Sequence, residues 1–262
     1  MAGAAAIADT ASAEKPLFAF CLRLADTALV LGHRLSEWSH KAHTLEEDIA
    51  LSNLGLDLIG QARNFYQYAA EVEGTDRDED QLAYLRDAGN WRNPLIVELP
   101  NGDFAFTMMR HFLYSAWYLP FTQELMKSSD ERLAAIAAKT EKEMKYHLRH
   151  ASEWVIRLGD GTEESKSRIK EARATLWPYT GELFEMTAAE NNLLGDGISV
   201  DVDLLRAEWR KTVTEIFAEA TLDVPEEGFM HSGGLMGRHT EHLGFLLADL
   251  QFLQRAYPGS TW

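Results

Sequence analysis

Apolar residues recur at intervals of three, four and seven along most of the chain, and no useful stretch alternates with the two-residue period of a strand. Residues 16–39 open with Pro16, which suits a first helical turn, and carry Leu17, Phe20, Leu24, Leu31 and Leu35 at helical spacing. Thr44, followed by Glu46 and Glu47, marks a second start, with acidic groups near the positive end of the helix dipole; the pattern continues to about Val72. A third helix is predicted from Asp103 to about Lys127, rich in aromatic residues and kinked at Pro120. Ser129 and Asp130 are candidate caps for a fourth, which Gly159 and Gly161 end. A fifth runs from about Thr162 to Met186 with an interruption at Pro178, and a sixth from Asp201 or Asp203 to about Leu222. The last starts near Arg238 and ends before Pro258.

The connections are uneven. Residues 74–102 form a long excursion with a short helix around Leu82 to Arg86 and turn chemistry at Asn93-Pro94 and Pro100-Asn101-Gly102. Residues 191–197 and 225–237 read as loops. The expectation is a single all-α bundle domain of six or seven long helices over residues 16–262, after a disordered tail at 1–15.

The second helix carries two patterns at once. Projected at about 100° per residue, Glu46, Asn53, Asp57, Gln61 and Asn64 share a narrow polar stripe, and apolar side chains including Ile49, Leu51, Leu54, Leu56 and Leu58 fill the rest. So wide an apolar arc predicts burial on more than one side. Gly55 and Gly60 predict close approach of other backbones. The stripe reads first as a solvated edge, with an internal hydrogen-bond network as the alternative.

Composition narrows the chemistry. Forty-one acidic against 25 basic residues give a formal charge of −16, which opposes nucleic acid and anionic membrane as partners. Cys21 is the single cysteine, so internal disulfides and cysteine-only metal sites are excluded. With no signal peptide in the first 14 residues and no uninterrupted apolar run of about 18–20 residues, the expected location is the cytoplasm.

The fourth helix draws attention to metal chemistry, because Glu143, His147 and His150 lie on or beside its apolar side. Di-iron bundles take a Glu from each of two helices and a Glu-x-x-His from each of two others. Here the position three after Glu143 is Tyr146, and His147 comes one residue late. Of nine histidines only His40 follows an acid, Glu37, at that spacing, and it sits at the end of the first helix. His-x-x-His pairs occur at His40/His43, His147/His150 and His239/His242; Arg238-His239-Thr240-Glu241-His242 lacks the order of a zinc-protease motif. No catalytic, metal-binding or cofactor-binding residue is therefore assigned. Asn53, Asp57, Gln61, His111, Glu143, His147, His150, His239, Glu241 and His242 are expected to be polar core or interface. His111 reads as a hydrogen-bonded structural histidine, and the Glu143/His150 margin as paired with Lys or Arg from a neighbouring helix.

Four stretches carry a family resemblance: 52–64 (SNLGLDLIGQARN), 100–105 (PNGDFA), 145–154 (KYHLRHASEW) and 237–244 (GRHTEHLG). Together they resemble the C subunits of bacterial phenylacetyl-CoA epoxidases, from about Phe18 to Trp262. The resemblance implies a ferritin-like structural subunit without its own metal centre. It also implies partners: a catalytic A subunit holding the di-iron centre, a small B subunit, and a reductase supplying FAD, a 2Fe-2S cluster and electrons from NADPH. Two other readings stand beside it. One is an atypical metal-dependent oxidase using His147, His150, His239 and His242; the other is a stand-alone helical acyl-CoA binding protein.

Overall fold

The computed structural model describes residues 15–226 and 228–260; the expected disordered tail lies outside them save for Lys15. The described residues form ten α-helices and several short 3-10 turns, with no strand. In chain order the helices are α1 (Pro16–Ser36), α2 (Leu45–Glu73), α3 (Glu79–Tyr84), α4 (Leu95–Glu98), α5 (Phe104–Leu125), α6 (Glu131–Gly159), α7 (Glu163–Leu176), α8 (Ala188–Leu194), α9 (Arg206–Glu219) and α10 (Glu241–Ala256). Seven of them are 14 residues or longer, in keeping with a ferritin-like all-α bundle.

The starts are set by side chains that accept orphan backbone N–H groups. Thr44 takes the Glu47 N–H at 3.3 Å, Asp103 that of Phe106 at 2.9 Å, and Asp130 that of Leu133 at 2.9 Å. α1 packs along α2 and α5 along α6, while α2 also meets α6. α4 and α8 cover α1, and α7 and α9 cover α5, so α1 and α5 are buried along most of their length. α1 is long and apolar enough to cross a membrane, yet 78% of that window lies inside the fold, so it is a core helix.

Several boundaries differ from the sequence expectation. The fifth predicted helix stops at Leu176, because Pro178 has no N–H to continue the ladder, and residues 177–179 finish as a 3-10 turn. The loop expected at 191–197 is partly α8, started by a capping box in which Thr187 and Glu190 satisfy each other's backbone. Residues 202–205 form a 3-10 turn ahead of α9, and residues 238–240 precede α10 rather than open it. α5 runs through Pro120 as one helix.

α2 corrects two further expectations. A Cβ on Gly55 would lie 2.9 Å from Ser36 Oγ and 3.2 Å from the Gly32 carbonyl, so close approach to α1 is real there, but nothing lies within 4 Å of such an atom on Gly60. Its apolar arc is not buried all round: Leu51, Leu54, Leu58 and Phe65 are in the core, whereas Leu45, Ile49 and Leu56 are 71%, 52% and 65% exposed.

Three buried carboxylates tie the 74–102 excursion to the bundle. Asp26 on α1 pairs with Arg86 and accepts the Tyr66 hydroxyl at 2.6 Å and the Arg92 N–H at 2.9 Å. Glu98 on α4 accepts from Asn93 and from the segment before α10. Glu182 takes the N–H groups of Leu95, Gly233 and Leu235. Gln251 on α10 then donates to the Ala83 and Arg86 carbonyls at 3.1 and 3.0 Å, closing α10 over the excursion.

Candidate functional site

Where α2, α5 and α6 meet, the candidate polar residues of the middle of the chain fall into one cluster. His147 is fully buried on the inner face of α6, with Glu143 one turn before it and His150 nearly one turn after, at the margin. Gln61 Nε2 donates to Glu143 at 2.8 Å, His147 Nε2 lies 3.4 Å from Asp57, and His150 Nε2 lies 2.9 Å from Glu47. From α5, the His111 ring stands 5.1 Å from that of His147. The α2 stripe is therefore split: Gln61 is buried and Asp57 half-buried in an internal network, while Glu46 and Asn53 face solvent. The partners of the α6 groups are an amide and carboxylates from α2, rather than the Lys or Arg anticipated.

Burial favours the neutral forms of His111 and Glu143. Burial, then the charges of His147, His150 and Arg110, hold His111 well below the ordinary histidine range. Burial raises the Glu143 pKa, the Gln61 hydrogen bond opposes this, and the charge of Asp57 adds to it. Both ring nitrogens of His111, and the hydroxyls of Tyr114, Ser115 and Tyr118, are buried without a protein partner, which corrects the reading of His111 as hydrogen-bonded.

This cluster does not fit a di-iron centre. Glu143 is engaged by Gln61, and the residue at the Glu-x-x-His position, Tyr146, is 41% exposed. Among the described residues, no three His, Cys, Asp or Glu side chains converge as a metal set. The register explains why: a four-residue step from Glu143 carries His147 inward, while the three-residue step leaves Tyr146 outside.

His239 belongs to a different place. Its Nδ1 lies 2.8 Å from Glu98 Oε2 and its Nε2 3.0 Å from the Trp91 carbonyl, and Glu98 Oε1 also accepts the Thr240 N–H at 2.6 Å. Both ring nitrogens face acceptors, a setting that favours the doubly protonated ring over either neutral tautomer. Burial pulls its pKa down, but the hydrogen bond and charge of Glu98 and the Trp91 carbonyl raise it above the ordinary value. Glu241 is exposed, and the His242 carbonyl accepts from Arg34 Nη2 at 3.4 Å. The His147/His150 and His239/His242 pairs thus lie in separate places, and His147, His150 and His239 each pair with a different acid.

The unpartnered hydroxyls give a direct test. Tyr118→Phe removes a buried O–H that makes no protein hydrogen bond while keeping the ring stacked on Trp117 and Phe121. The expected change is neutral to stabilising by up to about 1 kcal/mol, read from urea unfolding. A loss above about 2 kcal/mol would mean that the hydroxyl is bonded in solution.

The chain matches the family described as phenylacetic acid catabolic protein over residues 3–262. It is also 49% identical over 246 residues to the C subunit of the 1,2-phenylacetyl-CoA epoxidase of Escherichia coli (strain K12), a match covering 94% of this chain and 99% of that protein.

Proposed function

Because the chain belongs to the family of phenylacetic acid catabolic proteins, we propose that it is the non-catalytic structural C subunit of a multicomponent phenylacetyl-CoA epoxidase in aerobic phenylacetate degradation. The observation that carries this reading is the end-to-end match to a C subunit at 49% identity. The polar core adds support from chemistry, since Glu143, His147 and His150 on α6 are engaged by Gln61, Asp57 and Glu47 on α2.

On this reading the iron and oxygen chemistry belongs to a catalytic A subunit with a di-iron centre. The oxygenase also includes a small B subunit, and a reductase with FAD and a 2Fe-2S cluster delivers electrons from NADPH. The present chain contributes a rigid bundle that supports the A subunit. Its exposed α2 side chains Leu45, Ile49 and Leu56 supply apolar surface for such a contact. Buried, unpaired Cys21 and the acidic composition accord with assembly in the cytoplasm.

Co-expression with the A subunit followed by gel filtration tests the assignment. The expected result is one co-eluting complex, with iron recovered in the A subunit and phenylacetyl-CoA oxidation lost when this chain is omitted. Separate elution would favour a stand-alone binding protein. Stoichiometric iron and oxygen-dependent turnover in the purified chain alone would overturn the proposal.

A further inference from the structure

A cleft of about 890 Å³ lies between the 3-10 turns at 177–184, α9 and the segment around Met230. Its volume is in the range of small-molecule sites. Three largely buried aromatic side chains build its floor: the Trp177 and Trp209 ring centroids are 5.5 Å apart, and Phe184 meets Trp209 edge-on at 5.3 Å. Trp209 is held in place by donating its indole N–H to the Leu113 carbonyl at 3.1 Å. The wall is held too, because the His231 N–H bonds the Pro178 carbonyl at 2.7 Å and the His231 ring stacks on Tyr179 at 4.3 Å. A Cβ on Gly181 would come 2.8 Å from Met230, so glycine is what lets this wall sit so close.

Two arginines face this floor from one side of α9, a turn apart. The Arg206 guanidinium lies over the Phe184 ring at 4.4 Å and is bonded to Asp203 at 3.1 Å, yet its side chain remains 55% exposed. A guanidinium fixed on an aromatic ring leaves its outer face open to stack a second flat ring. Arg210 is exposed beside it and also lines the cleft. Asp203 also lines the cleft and offsets the charge of Arg206, so one acid against two arginines leaves the lining at +1 through Arg210, in a chain of net charge −16, and this favours an anion beside the aromatic floor. The ligand that fits is a flat ring joined to phosphate, small enough for a half-open cleft of this volume. A nucleic-acid strand would instead meet repulsion from the rest of the surface.

We propose that this cleft is an adenine-nucleotide site, with Arg206 stacking the base and Arg210 binding phosphate. This goes beyond the subunit assignment, which gives the present chain no ligand. The same chemistry is carried by free ADP and by the nucleotide handle of a CoA thioester, and the two are separable by experiment. Calorimetric titration of the full chain, alone and in the reconstituted complex, with ADP, CoA and phenylacetyl-CoA is the test. Saturable binding is expected, with quenching of tryptophan fluorescence and at least a tenfold loss of affinity in Arg210→Glu. Equal affinity for ADP and CoA would identify a free-nucleotide site; at least tenfold tighter CoA binding would identify the thioester handle. Lys211→Glu makes the same change in charge at an exposed neighbour on α9 and should leave binding unchanged. Absence of binding by all three probes overturns the proposal, as does equal weakening by Lys211→Glu. Circular dichroism of Arg210→Glu separates loss of the site from loss of fold. Co-elution with the A subunit is a separate readout, so failure here leaves the subunit assignment to stand or fall on its own.

Discussion

Replacing Glu98 by Ala is expected to remove about 3–5 kcal/mol of folding stability, the cost of leaving one charge of a buried pair without its partner. The carboxylate has no exposed surface and receives His239, the Thr240 N–H and Asn93. Without it, His239 Nδ1, the Thr240 N–H and the Asn93 amide lose their acceptor together, and the segment before α10 is held to the 74–102 excursion through the remaining His239–Trp91 bond and the Glu182 contacts. Urea unfolding of the purified variant measures the effect, and a loss under about 1 kcal/mol would show that the pair is not closed in solution.

The same pair imposes a pH dependence whose sign follows from His239. Its folded pKa lies above the ordinary value, so its contribution is complete below about pH 6.5 and is lost as pH rises through the folded pKa. The stability difference between wild type and His239→Asn should therefore shrink on the alkaline side. His111 works in the opposite sense. Its folded pKa is depressed, so its contribution is present above about pH 6.5 and is lost as pH falls.

Asp26→Ala is expected to be comparably severe, again about 3–5 kcal/mol. Asp26 is fully buried in the middle of α1 and gathers Arg86, the Tyr66 hydroxyl and the Arg92 N–H. Arg86 keeps its bonds to the Leu82 and Asn90 carbonyls and its place over the Trp91 ring at 4.9 Å, but loses its counter-charge. The double variant Asp26→Ala/Arg86→Met should recover part of the loss, because replacing a buried pair by apolar groups is often near neutral. If the double variant is no more stable than Asp26→Ala alone, the damage comes from the Tyr66 and Arg92 bonds rather than from the stranded cation.

These anchors show what is hard to read from the chain. Glu98 stands alone in the apolar run from Leu95 to Leu99, and Asp26 is the one acid of α1, so each carries a signal: an acid where periodicity demands core. What is missing is the partner. Arg86 and His239 lie 60 and 141 residues away along the chain, and no local rule pairs them. The capping box at Thr187 and Glu190 is legible in its spacing, but the Asn- and Gly-rich residues that follow point to a loop.

The long helices, their starts at Thr44, Asp103 and Asp130, and the failed Glu-x-x-His register at Tyr146 were determined by the sequence alone, because each depends on residues within one or two turns. The tertiary structure decided which side of α2 is covered. Periodicity places Leu56 and Leu58 alike on an apolar arc, yet Leu58 is buried and Leu56 is 65% exposed. Only the placement of α1 and α6 against that helix distinguishes them, since burial is set by what packs on a surface and not by the surface's own polarity. The same holds for Asp57 and Gln61, whose stripe became part of a polar core when α6 brought Glu143 and His147 to meet it.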